Sequence, residues 1–172
     1  MKAWINAVSV LLLLLIVNSA NAISLSGVYI TNFAQLVSAL NNGEDVRAII
    51  HLERCLIINS TDSTIQEQIN SSISGVSTRF DFNKFLHYTS RIDGRTRDTV
   101  TTSMTTLVEQ STPGVFWKVF ARLSVFGDES NTGNLRIDYF DPVSHKSQLV
   151  VEWRCDISNG NDNNGLVLID DY

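Results

Sequence analysis

Apolar and polar residues alternate with a period of two along much of this chain, which is the signature of half-buried β-strands. The longest run is residues 115–125, where Val115, Trp117, Val119, Ala121, Leu123 and Val125 share one face. The opposite face carries Phe116, Lys118, Phe120, Arg122 and, one step on, Phe126. A core strand needs one apolar face only, so aromatics mixed with cations on the other mark a candidate partner face at Phe116, Lys118, Phe120 and Arg122. Shorter alternations recur at Val46, Ala48, Ile50 and Leu52, at Phe80 and Phe82, at Leu86 and Tyr88, and at Leu135, Ile137 and Tyr139. Leu149, Val151, Trp153 and Cys155 make another, and Leu166 to Ile169 a last short strand. Residues 96–108 are dense in threonine, whose β-branching favours an extended, half-exposed strand. Asp93-Gly94, Pro113-Gly114, Asn131-Thr132-Gly133 and Asp141-Pro142 supply the turns between these runs.

Near the front the period changes. Phe33, Leu36, Val37 and Leu40 fall at helical spacing, with Thr31 or Asn32 placed to cap the start and Gly43 to end the last turn. Residues 59–78 are rich in Ser, Thr, Asn and Gln, with isoleucines at 65, 69 and 73; they read equally as a polar surface loop and as a loose helix outside the core. The expected fold is α+β and mostly β: one N-terminal amphipathic helix packed on a curled or sandwich-like, largely antiparallel sheet of about six or seven strands. There is no internal repeat and no second domain, so residues 23–172 are expected to form one domain.

Residues 1–22 have the grammar of a secretory signal peptide: Lys2 early, an apolar run from Val8 to Val17, and an A-x-A-like site at Ala20-Asn21-Ala22. The apolar run is about half the ~20 residues of a membrane-spanning helix, and no second such stretch follows. The protein is therefore expected to be secreted, or periplasmic or exported in a bacterial source, and not to span a membrane after cleavage. Without residues 1–22 the chain holds 12 basic and 18 acidic residues, an acidic balance that argues against nucleic acid as partner.

Cys55 and Cys155 are the only cysteines. In an oxidising compartment two lone cysteines pair, and here they would close a loop of about 100 residues. A free thiol is the competing reading; a metal pair lacks any second cysteine or histidine at ligand spacing. Asn59-Ser60-Thr61 and Asn70-Ser71-Ser72 are glycosylation sequons in the polar segment, candidates in a eukaryotic host. Residues 156–165 are rich in Asp and Asn but fail the calcium-loop pattern, lacking both the glycine offset and the closing glutamate. His51 and His87 lie in apolar strand contexts, and His145 in a turn. No HExxH, G-x-S-x-G or P-loop motif occurs, and an acid pair among Asp81, Asp138 and Glu152 has no sequence support. No catalytic residue, cofactor or metal ligand is assigned.

The run from Phe33 to Cys55 resembles the opening of the VirK family of small exported proteins. It carries Ala39-Leu40-Asn41-Asn42-Gly43 at the helix end, then Glu44-Asp45-Val46-Arg47, an apolar strand from Ala48 to Leu52, and the cysteine. The late landmark, Glu152-Trp153-Arg154-Cys155-Asp156-Ile157 with Gly165 to Ile169, is similar to the family's second cysteine strand. The middle departs from it: residues 101–106 hold threonines where the family has a Ser-Asp-x-His step. The resemblance agrees with export and a disulfide and implies no established catalytic activity or cofactor.

The expected function is a secreted, disulfide-stabilised, non-enzymatic binding or structural module whose partner is an extracellular protein, glycan or lipid. An extracellular hydrolase with an unrecognised site, or a matrix or mineral-associated component, are the alternatives.

Overall fold

A computed structural model describes residues 27–60, 75–92, 94–109, 114 and 116–171. Residues 1–22, most of the polar segment with its sequon at Asn70, and Val115 lie outside them. In chain order the elements are β1 (Gly27–Ile30), α1 (Phe33–Asn42), β2 (Asp45–His51), a 3-10 turn (Leu52–Arg54), β3 (Leu56–Ser60), β4 (Ser77–Asp81) and β5 (Phe85–Ile92). There follow β6 (Arg95–Glu109), β7 (Phe116–Phe126), β8 (Thr132–Phe140), β9 (Ser147–Asp156) and β10 (Leu166–Asp171).

The strands form two antiparallel sheets. The small sheet has the order β1-β10-β2-β4 and the large one β3-β9-β8-β7-β6-β5. This corrects the α+β expectation of one helix packed on a curled or sandwich-like sheet of about six or seven strands. The described residues hold ten strands in two sheets and one α-helix, and the fold is mostly β.

The miscount has physical causes. β1 and β3 are edge strands of four and five residues with mixed burial, so neither shows a clean period of two. Phe80, Phe82, Leu86 and Tyr88 look like one continuous stretch, yet β4 belongs to the small sheet and β5 to the large one. The chain crosses between sheets at residues 82–84, where the Thr102 hydroxyl reaches the carbonyls of Asp81 (3.1 Å) and Lys84 (2.9 Å). Phe82 is buried at that crossing.

The core lies between the sheets. Val46, Ala48, Ile50, Phe80, Leu166 and Leu168 of the small sheet join Val100, Leu123, Val125, Leu135 and Trp153 of the large one in a single buried cluster. Burying each such side chain fully is worth roughly 1.5–3 kcal/mol. Helix α1 adds Leu36, Ala39 and Leu40 to the cluster. Its start is closed from both sides: Asn32 accepts from the Gln35 backbone N–H (3.0 Å), while the Gln35 side chain accepts from the Thr31 backbone (2.7 Å). Its end turns through Gly43 at φ 77°, a left-handed conformation that glycine adopts without strain.

α1 connects β1 to β2, and both are antiparallel to β10, which lies between them. The C-terminal strand is therefore a central strand of the small sheet.

Cys55 and Cys155 form a disulfide, with Cα atoms 4.5 Å apart and 100 residues between them in sequence. It ties the start of β3 to the end of β9. Gly165 packs so closely that a Cβ there would sit 2.5 Å from Cys55 Sγ and 3.1 Å from the His51 and Arg54 carbonyl oxygens. At this position the small residue is required by space, since the backbone carbonyls cannot give way cheaply.

Candidate binding face

β7 lies in the interior of the large sheet, so both of its edges are hydrogen-bonded and only its two faces are available. The odd-numbered face points inward: Val119, Ala121, Leu123 and Val125 are buried. The even-numbered face points out of the molecule, with Phe116, Lys118 and Arg122 exposed and Phe120 half-buried. The four residues singled out from the sequence thus share one surface at every second position.

Strand register decides what surrounds them. Phe120 stands between Thr105 on β6 and Asp138 on β8, Arg122 between Ser103 and Arg136, and Lys118 between Leu107 and Phe140. The acidic neighbours are already engaged. Arg136 grips Asp138 through two hydrogen bonds of 3.0 Å, and the Asn134 amide donates to Glu152 at 3.2 Å. That bidentate contact stabilises the charged guanidinium and neutralises the carboxylate beside Phe120. Among the described residues neither Lys118 nor Arg122 makes an ion pair.

Two hollows open on this face, one on each side of Phe120. The larger, about 650 Å³, is lined by Asn83, Lys84, Phe85, Tyr88, Ser103 and Arg122, among others, and by one side of Phe120. The smaller, about 350 Å³, is lined by Thr105, Lys118, Phe120, Phe140 and His145. Neither lining contains a carboxylate. Phe116 lies outside both. A third hollow of about 400 Å³ at the other end of the same sheet differs in kind. There Arg97 pairs with Asp128 at 3.0 Å and lies 4.6 Å from the Phe126 ring centroid, and the lining carries Asp128 and Asp156 beside its arginines, so it is not of one sign.

Lys84, Tyr88 and Ser103 are the site residues that the sequence reading missed. Leu86 and Tyr88 were legible as a strand, but only the pairing of β5 with β6 brings them alongside β7.

The remaining candidates fall apart from one another. His51 sits 4.0 Å from Glu53 beside the 3-10 turn, and His145 lies in the β8–β9 turn at φ 56°. His87 contacts Asp98 at 3.3 Å, with the Phe33 ring edge-on to it at 6.1 Å. The Thr89 hydroxyl donates to the same Asp98 carboxylate (2.8 Å), so it is held by the acid and not by an imidazole nitrogen. That is not the nucleophile–base–acid order of a hydrolytic relay. Asp81 is bound to Arg79 on the small sheet, in a different sheet from Asp138 and Glu152. Asn59 is exposed on edge strand β3, opposite Glu152.

The Asp/Asn-rich loop spends its carboxylate on itself. Asp162 accepts from the Ser158 hydroxyl (2.7 Å), the Asn159 backbone (3.0 Å) and the Asn164 backbone (3.1 Å). These donors hold its pKa below the ordinary carboxylate range, the Asn159 N–H first. Among the described residues no group of three or more His, Cys, Asp or Glu side chains is placed to hold a metal ion.

Fold and face together define a disulfide-tied, two-sheet β protein with a grooved, cation-bearing outer surface. Its fold is similar to the crystal structure of a VirK family protein from Legionella pneumophila, with a TM-score of 0.57 and 12% sequence identity, covering 82% of this chain and 98% of that one. At that identity the likeness is one of fold. No family model matches the chain, and no curated protein does. No helix among the described residues is long and apolar enough to cross a membrane.

Proposed function

We propose that the protein is an exported, non-enzymatic VirK-like module that binds an extracellular ligand on the outer face of its large sheet. The observation that carries this reading is the pair of hollows around Phe120. A sheet face that merely meets solvent has no need of recessed aromatics beside unpaired cations, whereas a ligand site needs both concavity and a few convergent polar groups. The signal-like residues 1–22 and the disulfide support export, because a bond of this kind persists in oxidising compartments. The fold likeness to a VirK family protein supports the VirK-like fold in this reading.

The test is a screen of the secreted protein against glycan and lipid arrays and extracellular extracts, in parallel with Phe120→Ala. Ligand retained by the wild type and lost by the variant is the expected result. Binding that is indifferent to Phe120→Ala would remove this face from the reading, and turnover of an array substrate would remove the non-enzymatic part.

A further inference from the structure

We infer that the ligand is a linear acidic polysaccharide, laid along β7 with a sugar ring on Phe120 and anionic groups against Lys118 and Arg122. This rests on the binding-face reading and adds the ligand's chemistry.

The first argument is the spacing. Phe116, Lys118, Phe120 and Arg122 alternate ring and cation at every second residue, so successive groups stand roughly 6.6 Å apart on the same face. The two cations are about 13 Å apart, with Phe120 midway between them. An extended polymer that alternates ring faces and negative charge meets this array without bending.

The second argument is the segregation of charge. The chain has 18 acidic and 13 basic residues, yet the linings of the two hollows contain Lys84, Lys118 and Arg122 and no carboxylate. Recesses of one sign focus potential and attract the opposite charge. The nearby carboxylate of Asp138 is neutralised by Arg136 and does not spoil the field.

The third argument concerns the groups left over. The hydroxyls of Thr101 and Thr102 are taken by backbone carbonyls, but Ser103 and the Asn83 amide have no hydrogen-bond partner among the described residues. They suit the hydroxyls of a sugar. An acidic peptide is a poorer match, because a sheet face offers its backbone no ladder of N–H and C=O groups. A flat anionic bilayer is poorer too, since Phe120, the apolar group between the two exposed cations, is half-buried between hollows and does not project to meet a planar surface.

The test measures binding to dextran sulfate, to uncharged dextran of the same backbone, to polygalacturonate, and to phosphatidylserine vesicles. Dextran sulfate and polygalacturonate should bind and dextran should not. At fixed salt, Phe120→Ala and Arg122→Gln should each weaken binding roughly tenfold, as for residues at the centre of an interface. Arg79→Gln, on the small sheet, should leave it unchanged, with the folding of all three variants checked by urea unfolding. Dextran bound in a Phe120-dependent way would overturn the acidic class and keep the face. Acidic polymers bound equally by Phe120→Ala would overturn the face as well. Vesicles bound with no polysaccharide bound, or no binding to any probe, would overturn the ligand class.

Discussion

Asp170 is a carboxyl in the wrong kind of place. It is 4% exposed, on the core side of β10 opposite Val46, with Glu44 and Asp45 close by. Loss of water pushes its pKa up, and sharing a hydrogen bond with Glu44 and facing the negative charges of Glu44 and Asp45 push it the same way. A carboxyl raised in the folded state binds its proton more tightly there than in the unfolded chain. Its cost to folding is therefore absent at low pH, and it appears as pH rises from the unfolded value near 3.9 through the folded one. Asp98, Asp141 and Asp162 behave oppositely. The Thr89 hydroxyl, the Ser144 backbone N–H and the Asn159 backbone N–H respectively lead in holding them down. What they contribute is present at neutral pH and lost as pH falls through their folded values. Asp170→Asn should accordingly raise the urea midpoint at pH 7, and the gain should shrink towards pH 4 and disappear below it. Urea unfolding from pH 7 to pH 3 checks this; a gain that grew on acidification would contradict it. In the sequence Glu44 and Asp45 were visible as a charged pair. Asp170 was not visible beside them, because only the pairing of β10 with β2 brings it there across more than a hundred residues.

At the scale of elements, legibility followed burial on one face. β7 was readable residue by residue because every inward position is apolar and the outward ones are not, and β2 showed the same pattern in Val46, Ala48 and Ile50. β1 and β3 were missed since an edge strand with exposed residues such as Val28, Leu56 and Ile58 needs no alternation. The helix was legible with its cap and its terminal glycine. The disulfide was legible as a pair, and the structure adds what it joins. Cys55 follows directly on the 3-10 turn that leaves the small sheet, and Cys155 stands in β9 of the large one. The bridge therefore anchors to β9 the stretch of chain that arrives from the small sheet and enters β3. For a closed loop of this length the chain-entropy model gives about 4.7 kcal/mol of stabilisation. The double variant Cys55→Ser, Cys155→Ser should lose stability of that order in urea unfolding. A midpoint shift worth less than about 1 kcal/mol would mean that packing at Gly165, Leu52 and Trp153 already holds the sheets together without the bond.

The whole molecule is closed by its last strand. Sequence reading placed Leu166 to Ile169 as a short final strand, with nothing to show that it would be central, since hydrophobic pattern reports burial and not neighbours. In the fold β10 inserts between β1 and β2, and Leu166, Leu168 and Ile169 are almost fully buried there. Without it β1 has no partner, β2 loses one edge, and the apolar inner face of the small sheet loses its middle. The loss is several large buried side chains at roughly 1.5–3 kcal/mol each, against a total stability for a domain of about 5–15 kcal/mol. The outer face of the large sheet, with Phe120 and its flanking cations, depends on the same closure, because β7 keeps its register only while its inward residues have a core to pack on. A chain ending at Gly165 should therefore show no cooperative urea transition and no polysaccharide binding, although every residue of the proposed binding face is still present. Far-UV circular dichroism and urea unfolding of that truncation check the point. A cooperative transition near the wild-type midpoint would show that the large sheet folds by itself and carries the face independently of the small one.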